Sequence, residues 1–226
     1  FLQCIFLSHI YISTKPNKQK ALNYLGQISV DTASHVICGA MADFADKRDS
    51  QCLPEITDQT ISNLKNNNLK ISEILADTNY SSGSALKYLE KKGIKGYIPC
   101  IGNYLPYREG FIYNVQEDFY QCKAGVKIPF KTLHIDKRDN SQIKMYYSSV
   151  NDCKNCSFKI DCIRNAKYKQ IGDSIDKPYY DRMYRRLKGR NGKKMKNLRS
   201  STVEPVLGTL LHFRGMKKVY TKGIDL

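Results

Sequence analysis

Two carboxylates stand where an α/β protein could bring them together. Asp77 ends the apolar run of residues 74–76, and Glu204 opens an amphipathic stretch that follows a long basic run. Ligands of α/β sheets gather at the carboxyl ends of strands, which is where Asp77 is expected. Two such acids can share divalent metal ions and promote hydrolysis or transfer of phosphate esters. The pair therefore indicates metal-dependent nuclease chemistry.

Both acids also have a purely structural interpretation. An Asp at the end of a strand often caps the next segment, and this is slightly the better interpretation of Asp77 on spacing alone. Ser201-Thr-Val-Glu204 fits a capping box, in which the Glu bonds back to the backbone N–H of the cap. Pro205 complicates that pattern because proline favours the first helical turn. Spacing alone therefore favours a capping role and a catalytic role of Glu204 equally. A third acid, Asp31, lies between two β-branched runs, where a turn-forming role is favoured over a catalytic one.

The cysteines carry a separate signal. Cys153 and Cys156 share one turn, Cys162 follows them, and Cys122 can supply a fourth thiolate. Four thiolates suit a closed tetrahedral zinc site, with an iron–sulfur cluster as the alternative. Eight cysteines in a long, lysine-rich chain favour a reducing compartment and a cysteine-bound metal site over a set of disulfides.

The charge points to a polyanionic partner. The formal net charge is +16, and residues 177–226 hold 14 lysines and arginines against three acids. Cations with interleaved tyrosines suit phosphates and exposed bases, although the same tract could be a mobile solvated loop that orders on binding. The candidate DNA-binding residues are Arg182, Arg185, Arg186, Lys188, Arg190, Lys193, Lys194, Lys196 and Arg199.

The patterns divide the chain into three parts. Residues 13–103 predict an α/β core with a hairpin around Asp31, a helix over 50–66, a strand over 71–76, a helix capped by Ser81 or Ser82, and a strand over 94–99. Residues 104–176 are rich in Tyr and Phe and predict an inserted, mainly β subdomain that bears the cysteines. Residues 177–226 hold the basic tract, a final helix from Ser201 to Gly215, and a last strand or arm over 216–220.

Membrane and secreted classes are disfavoured. No stretch is long enough to span a bilayer, and the apolar opening, residues 1–12, lacks the basic region and cleavage site of a signal peptide. We expect a cytoplasmic protein associated with the nucleoid.

Taken in order, these motifs resemble bacterial insertion-sequence DDE transposases. The resemblance runs from about residue 13 to the end and is closest to a subgroup with a cysteine-bearing insertion before the final acid. The stretches that carry it are residues 26–37, 75–82, 120–125, 153–162 and 199–208. It implies a ribonuclease H-like core, with Asp77 as the second catalytic acid and Glu204 as the third. It also implies Mg²⁺ or Mn²⁺, binding of element ends and target DNA, and a homodimer on DNA.

The first acid departs from the family pattern. Such enzymes carry an Asp-Pro-Asp segment just before the stretch equivalent to residues 12–16, whereas residues 6–11 here read Phe-Leu-Ser-His-Ile-Tyr. Asp31 is too far along to be the motif residue. We therefore expect a truncated, inactive copy whose apolar opening is foreign sequence. The alternative function is a non-catalytic, zinc-containing nucleic-acid-binding module.

Overall fold

The computed structural model describes residues 2–8, 24–44, 47–137 and 140–216. The chain forms two units, one of Phe1–Tyr104 with Arg182–Leu226 and the other of Leu105–Asp181. Residues 15–23, whose polar and basic composition predicts a loop, and most of the predicted last strand or arm lie outside the described residues. Among the described helices, none is long and apolar enough to cross a membrane.

The first unit is built on a mixed five-stranded sheet. Its strands are β1 (Leu2–Ser8), β2 (Tyr24–Asp31), β3 (Ile37–Phe44), β4 (Ile71–Ala76) and β5 (Lys95–Tyr97). They stand in the order β3-β2-β1-β4-β5, with β1, β2 and β3 antiparallel and β1, β4 and β5 parallel. The apolar opening thus forms the middle strand of the sheet, a position that its interpretation as foreign sequence does not predict.

Two helices of this unit follow the sequence pattern closely. α1 spans Asp49–Lys65 and α2 spans Gly83–Lys91. The hydroxyl of Ser82 accepts a hydrogen bond from the backbone N–H of Ala85 at 3.1 Å, which confirms the predicted cap. The side chains of Asp58 on α1 and Lys92 after α2 form an ion pair of 2.7 Å.

The final helices differ from the prediction. α5 spans Lys177–Lys188 and α6 spans Arg190–Gly208, followed by a π-helical turn over Thr209–Phe213. The last helix therefore begins well before Ser201, and the basic tract is helical rather than a loop. Lysine, arginine, leucine and methionine are good helix formers. The basic tract therefore forms a helix although its run of charges shows no clear helical pattern.

α6 lies over the centre of the sheet. Met195 and Val203 are buried in one apolar cluster with Leu75 of β4 and Tyr97 of β5. Alternate residues of a strand point to the same face, so Asp77, two positions after Leu75, follows on the face that α6 covers. This packing positions the helix that carries Glu204.

The second unit is an antiparallel sheet of five strands in sequence order. These are β6 (Phe111–Asn114), β7 (Phe119–Cys122), β8 (Lys127–Ile135), β9 (Gln142–Tyr147) and β10 (Gln170–Ser174). Short antiparallel strands over residues 104–147 are as predicted. Two short helices, α3 (Val150–Lys154) and α4 (Lys159–Ile163), connect β9 to β10.

One carboxylate organises the aromatic core of this sheet. Asp118 accepts hydrogen bonds of 2.7 Å from the hydroxyls of Tyr113 and Tyr146 and from the ammonium of Lys144. Burial opposes ionisation of Asp118, but these three donors outweigh it and hold its pKa below the ordinary value. Burial and the Asp118 acceptor raise the pKa of Tyr146. The unit thus keeps its buried tyrosines neutral and paired.

Two glycines of α6 give a test of how tightly the helix is placed. A Cβ on Gly192 would lie 2.2 Å from the carbonyl oxygen of Leu187, whereas a Cβ on Gly208 would meet nothing within 4 Å. We expect Gly192→Ala to destabilise the protein by about 1–3 kcal/mol through overpacking. Gly208→Ala, the matched control, should be neutral or stabilise by about 0.5–1 kcal/mol. Urea unfolding followed by circular dichroism measures both, and equal effects would contradict the tight contact.

Candidate functional site

Asp77 directly follows β4 and starts the next segment. Its backbone is extended, with φ −80° and ψ 178°, and its Oδ1 accepts a 2.8 Å hydrogen bond from the N–H of Asn79. It therefore caps the 3-10 turn Thr78–Tyr80, as the structural interpretation expects. Carboxylates that bind metals are themselves often hydrogen-bonded, so the cap is compatible with a second role.

Glu204 lies inside α6 and not at its start. The N-cap of this helix is Gly189, and the hydroxyl of Ser201 donates to the carbonyl of Leu198 at 3.1 Å. The capping-box interpretation of Ser201 and Glu204 is therefore wrong. The Glu204 side chain is 56% exposed and forms an ion pair with the guanidinium of Arg199 at 3.7 Å. Exposed ion pairs of this kind contribute little to stability. Glu204 can therefore exchange Arg199 for another partner at little cost in free energy.

The elements that carry the two acids pack against each other. Val203, which precedes Glu204, is fully buried and belongs to the same cluster as Leu75, which precedes Asp77 by two residues. The cluster lies toward the carboxyl end of β4, because Leu75 is the penultimate residue of that strand. The two acids thus flank one apolar contact, at the edge of the sheet where ligands of α/β folds bind.

The strand beside Asp77 supplies no carboxylate. Phe6 of β1 pairs with Ala76 of β4, so Leu7 is the next position along β1 just as Asp77 is along β4. β1 reads Leu-Gln-Cys-Ile-Phe-Leu-Ser, without Asp or Glu. Across the described residues, no group of three or more His, Cys, Asp and Glu side chains could hold a metal ion as placed. Asp77 and Glu204 alone therefore do not complete a two-metal site.

Asp31 does not supply the missing acid. Its Oδ2 accepts from the N–H of Ala33 at 3.2 Å, and from the N–H and hydroxyl of Ser34 at 2.7 and 2.6 Å. This is the turn-forming role that its position favours. Cys4 pairs with both Asp31 and Ile74. Asp31 is therefore about 10 Å from Asp77 along the strands and about 10 Å away across them.

Contacts within the first unit engage Arg182, Arg186 and Arg199 among the candidate DNA-binding cations. Arg182 makes two hydrogen bonds to the carboxylate of Glu90, at 2.9 and 2.6 Å. Arg186 donates to the carbonyl of Gly96 at 2.7 Å, and Arg199 faces Glu204. Arg182 and Arg186 are one helical turn apart and attach α5 to α2 and β5. The sequence signal that could have separated them is this one-turn spacing next to Met183, which is buried.

The other six cations are exposed. They lie along the last turns of α5 and the first turns of α6, and Lys188 sits over the ring of Tyr184 at 5.4 Å from its centroid. The exposed residues are Arg185, Lys188, Arg190, Lys193, Lys194 and Lys196. Exposed cations on consecutive helical turns suit the phosphates of a nucleic acid.

The four predicted metal-binding cysteines line one pocket of the second unit. Cys122 ends β7, Cys153 lies in α3, Cys156 follows it, and Cys162 lies in α4; the pocket has a volume of about 380 Å³. Burial raises the pKa of the Cys162 thiol, and the other three cysteines add to that effect. By contrast, Cys52 is a buried cysteine of α1 whose burial raises its pKa to about 11, which makes it unreactive.

The comparison with protein families agrees with the resemblance in its broad terms. Residues 121–225 match the family model described as a transposase DDE domain. The match covers less than half of the chain and includes Glu204 and the four cysteines, but neither Asp77 nor the central strands. It supports a transposase rather than a zinc module, and it implies DNA and a divalent metal such as Mg²⁺ or Mn²⁺. The mixed α/β architecture is consistent with a ribonuclease H-like DDE domain. No curated protein matches the chain.

The cap made by Asp77 can be separated from its charge. Asp77→Ala removes the acceptor for the Asn79 N–H and should cost about 1 kcal/mol of unfolding free energy. Asp77→Asn keeps an oxygen acceptor, and asparagine is as good a cap as aspartate, so its stability should stay close to that of the unchanged chain. Urea unfolding of the two variants checks this. An equal loss in both would mean that the negative charge, not the cap, stabilises the turn.

Proposed function

We propose that this protein is a transposase of a bacterial insertion sequence that binds DNA through α5 and α6. Its acid set for metal-dependent strand cleavage and transfer is incomplete. The metal ligands it retains are Asp77 and Glu204, for Mg²⁺ or Mn²⁺. A homodimer on the DNA ends is part of this proposal, because strand transfer joins two ends of an element to one target.

The observation that carries the proposal is the packing of α6 on β4. A strand that Asp77 directly follows and a helix that bears Glu204 share the cluster of Leu75 and Val203. A capping role of either acid does not explain this arrangement, because Asp77 caps its own turn and Glu204 lies inside its helix. The family match over residues 121–225 includes the position of Glu204.

The incomplete acid set separates binding from cleavage. Two-metal chemistry requires several carboxylates around a pair of ions about 4 Å apart. The register leaves Leu7 where a carboxylate beside Asp77 would be needed. We therefore expect the chain to bind DNA without cutting it at a measurable rate.

The binding surface is tested by salt and by paired substitutions. Lys193→Ala with Lys194→Ala removes two exposed cations of α6 and should weaken binding of any DNA sequence severalfold, because phosphate contacts carry no sequence information. Affinity of the unchanged chain should fall at least about tenfold between low and moderate salt. Fluorescence anisotropy with a labelled duplex measures both effects.

The matched control is Lys65→Ala with Lys70→Ala. These exposed lysines lie at the end of α1 and just before β4, at the edge of the sheet away from Asp77. The two substitutions remove the same charge as the α6 pair and should lower the affinity for DNA much less. Equal weakening by both pairs would show that net charge alone binds DNA, and salt-independent binding would contradict the phosphate interface.

The missing acid can be restored by one substitution. Leu7→Asp places a carboxylate at the strand position beside Asp77, and it should raise the affinity for Mn²⁺ at least about tenfold because a further acid joins the site. Titration followed by Mn²⁺ paramagnetic resonance measures this, and a nicking assay on supercoiled DNA measures any activity gained. Adding Asp77→Asn should remove the gain while keeping the cap.

Gln3→Asp is the control for this restoration. Gln3 pairs with Glu73, four residues before Leu7 on the same strand, so the new charge stands about 13 Å from the edge. It should leave Mn²⁺ affinity unchanged. Strong metal-dependent cleavage by the unchanged chain, abolished by Asp77→Ala, would show that another residue already serves as the first acid.

A further inference from the structure

The second unit contains a cluster of thiols that the proposed DNA chemistry does not use. Cys122 comes from the β7–β8 hairpin, and Cys153, Cys156 and Cys162 come from the segment between β9 and β10. Both segments contribute to the walls of one pocket. All four cysteines are half-buried, and they differ from the half-buried Cys38 of the first unit in sharing the walls of one pocket.

The hairpin holds Cys122 at a closed turn. The carbonyl of Cys122 accepts from the N–H of Gly125 at 2.9 Å, and the N–H of Cys122 donates to the carbonyl of Val126 at 3.1 Å. Gly125 has φ +79°, a conformation that a residue with a side chain adopts only under strain. The turn therefore fixes where its cysteine lies before any ligand is present.

The other three thiols sit on consecutive short turns. The hydroxyl of Ser149 caps α3, and the carbonyl of Cys156 accepts from the N–H of Lys159 at 3.1 Å. The N–H of Cys162 donates to the carbonyl of Phe158 at 2.9 Å. Such short turns bury little apolar surface by themselves, so a cross-link between their cysteines would stabilise them.

Polar groups already support two of the cysteines. The hydroxyl of Ser148 lies 3.1 Å from the sulfur of Cys153 and accepts from the N–H of Lys169 at 2.9 Å. The ammonium of Lys169 donates to the carbonyl of Cys162 at 3.1 Å. Hydrogen bonds behind the ligands and a nearby cation are what a negatively charged metal–thiolate centre needs.

We propose that Cys122, Cys153, Cys156 and Cys162 bind one Zn²⁺ in a closed tetrahedral site that joins the β7–β8 hairpin to α3 and α4. Each thiol releases its proton to solvent as it binds, and no position stays open for a catalytic water. The four thiols as placed do not yet form a metal site. Zinc–sulfur bonds of about 2.3 Å require sulfurs about 3.8 Å apart, so the proposal requires the pocket to contract around the ion. The site is structural.

Elemental analysis of the full chain, purified under reducing conditions without chelators, tests the proposal. We expect about one zinc per chain, and tetrahedral thiolate bands in the visible spectrum after exchange with Co²⁺. Cys156→Ser should lose at least nine tenths of the zinc. Cys38→Ser, a half-buried cysteine of the first unit, is the matched control and should keep all of it.

A second variant keeps the test valid if Cys156→Ser does not fold. Ser148→Ala leaves all four ligands in place and should weaken zinc about tenfold or more in a chelator competition, because it removes a hydrogen bond to a ligand. Iron with a charge-transfer spectrum, absence of metal, or zinc retained in Cys156→Ser would each overturn the proposal. This result is independent of the proposed function, since DNA binding and the acids belong to the first unit.

Discussion

The apolar contact between α6 and the central strands is the interaction on which the candidate site depends. Leu75 and Tyr97 meet Met195 and Val203 in one buried cluster, although the chain builds the entire second unit between them. Closing such a long loop costs only about 0.6 kcal/mol more for each doubling of its length. A fully buried residue such as Val203 contributes about 1.5–3 kcal/mol. A few side chains are therefore enough to hold the part of α6 around Val203 against β4, the strand that Asp77 follows.

Electrostatic contacts then fix the approach of α5 and, through it, of α6. Arg182 pairs with Glu90 of α2, and Arg186 donates to the carbonyl of Gly96 in β5. These contacts occupy two of the positive charges on the surface. In return they attach α5, in which Met183 is the only buried residue. The remaining exposed cations can then be presented on a fixed helical face rather than on a loop.

The local parts of the fold could be predicted from the sequence, because their causes are local. Residues 71–76 include the β-branched Ile71 and Ile74, close on an apolar Ile-Leu-Ala run before the polar Asp77, and form β4 with these bounds. Ser82 caps α2 as its position before Leu86 and Leu89 indicates. The start of α6 could not be predicted in this way. Its buried residues, such as Met195, are few and are separated by lysines. They become recognisable as the buried face of a helix only when the sheet that they pack against is known.

The site shows the same limit. The sequence places Asp77 after a strand and Asp31 in a turn, and both positions are correct. It cannot say which cations of a basic tract will face a partner, because Arg182 and Arg186 find theirs ninety or more residues away. The capping box at Ser201 was misleading for a related reason: a short motif carries its usual meaning only at a helix end, and tertiary packing extends this helix past it.

The pairing of Arg199 with Glu204 would link the two functions proposed for the first unit. At 3.7 Å, with the Glu204 side chain 56% exposed, the ion pair is worth little in water. Its partners are nevertheless the groups that a divalent cation and a phosphate would each attract. A metal ion at Glu204 would release Arg199 toward the DNA backbone, and a phosphate at Arg199 would release Glu204 toward a metal. Each ligand removes the competitor of the other, so DNA and metal should bind cooperatively wherever the acid set is complete.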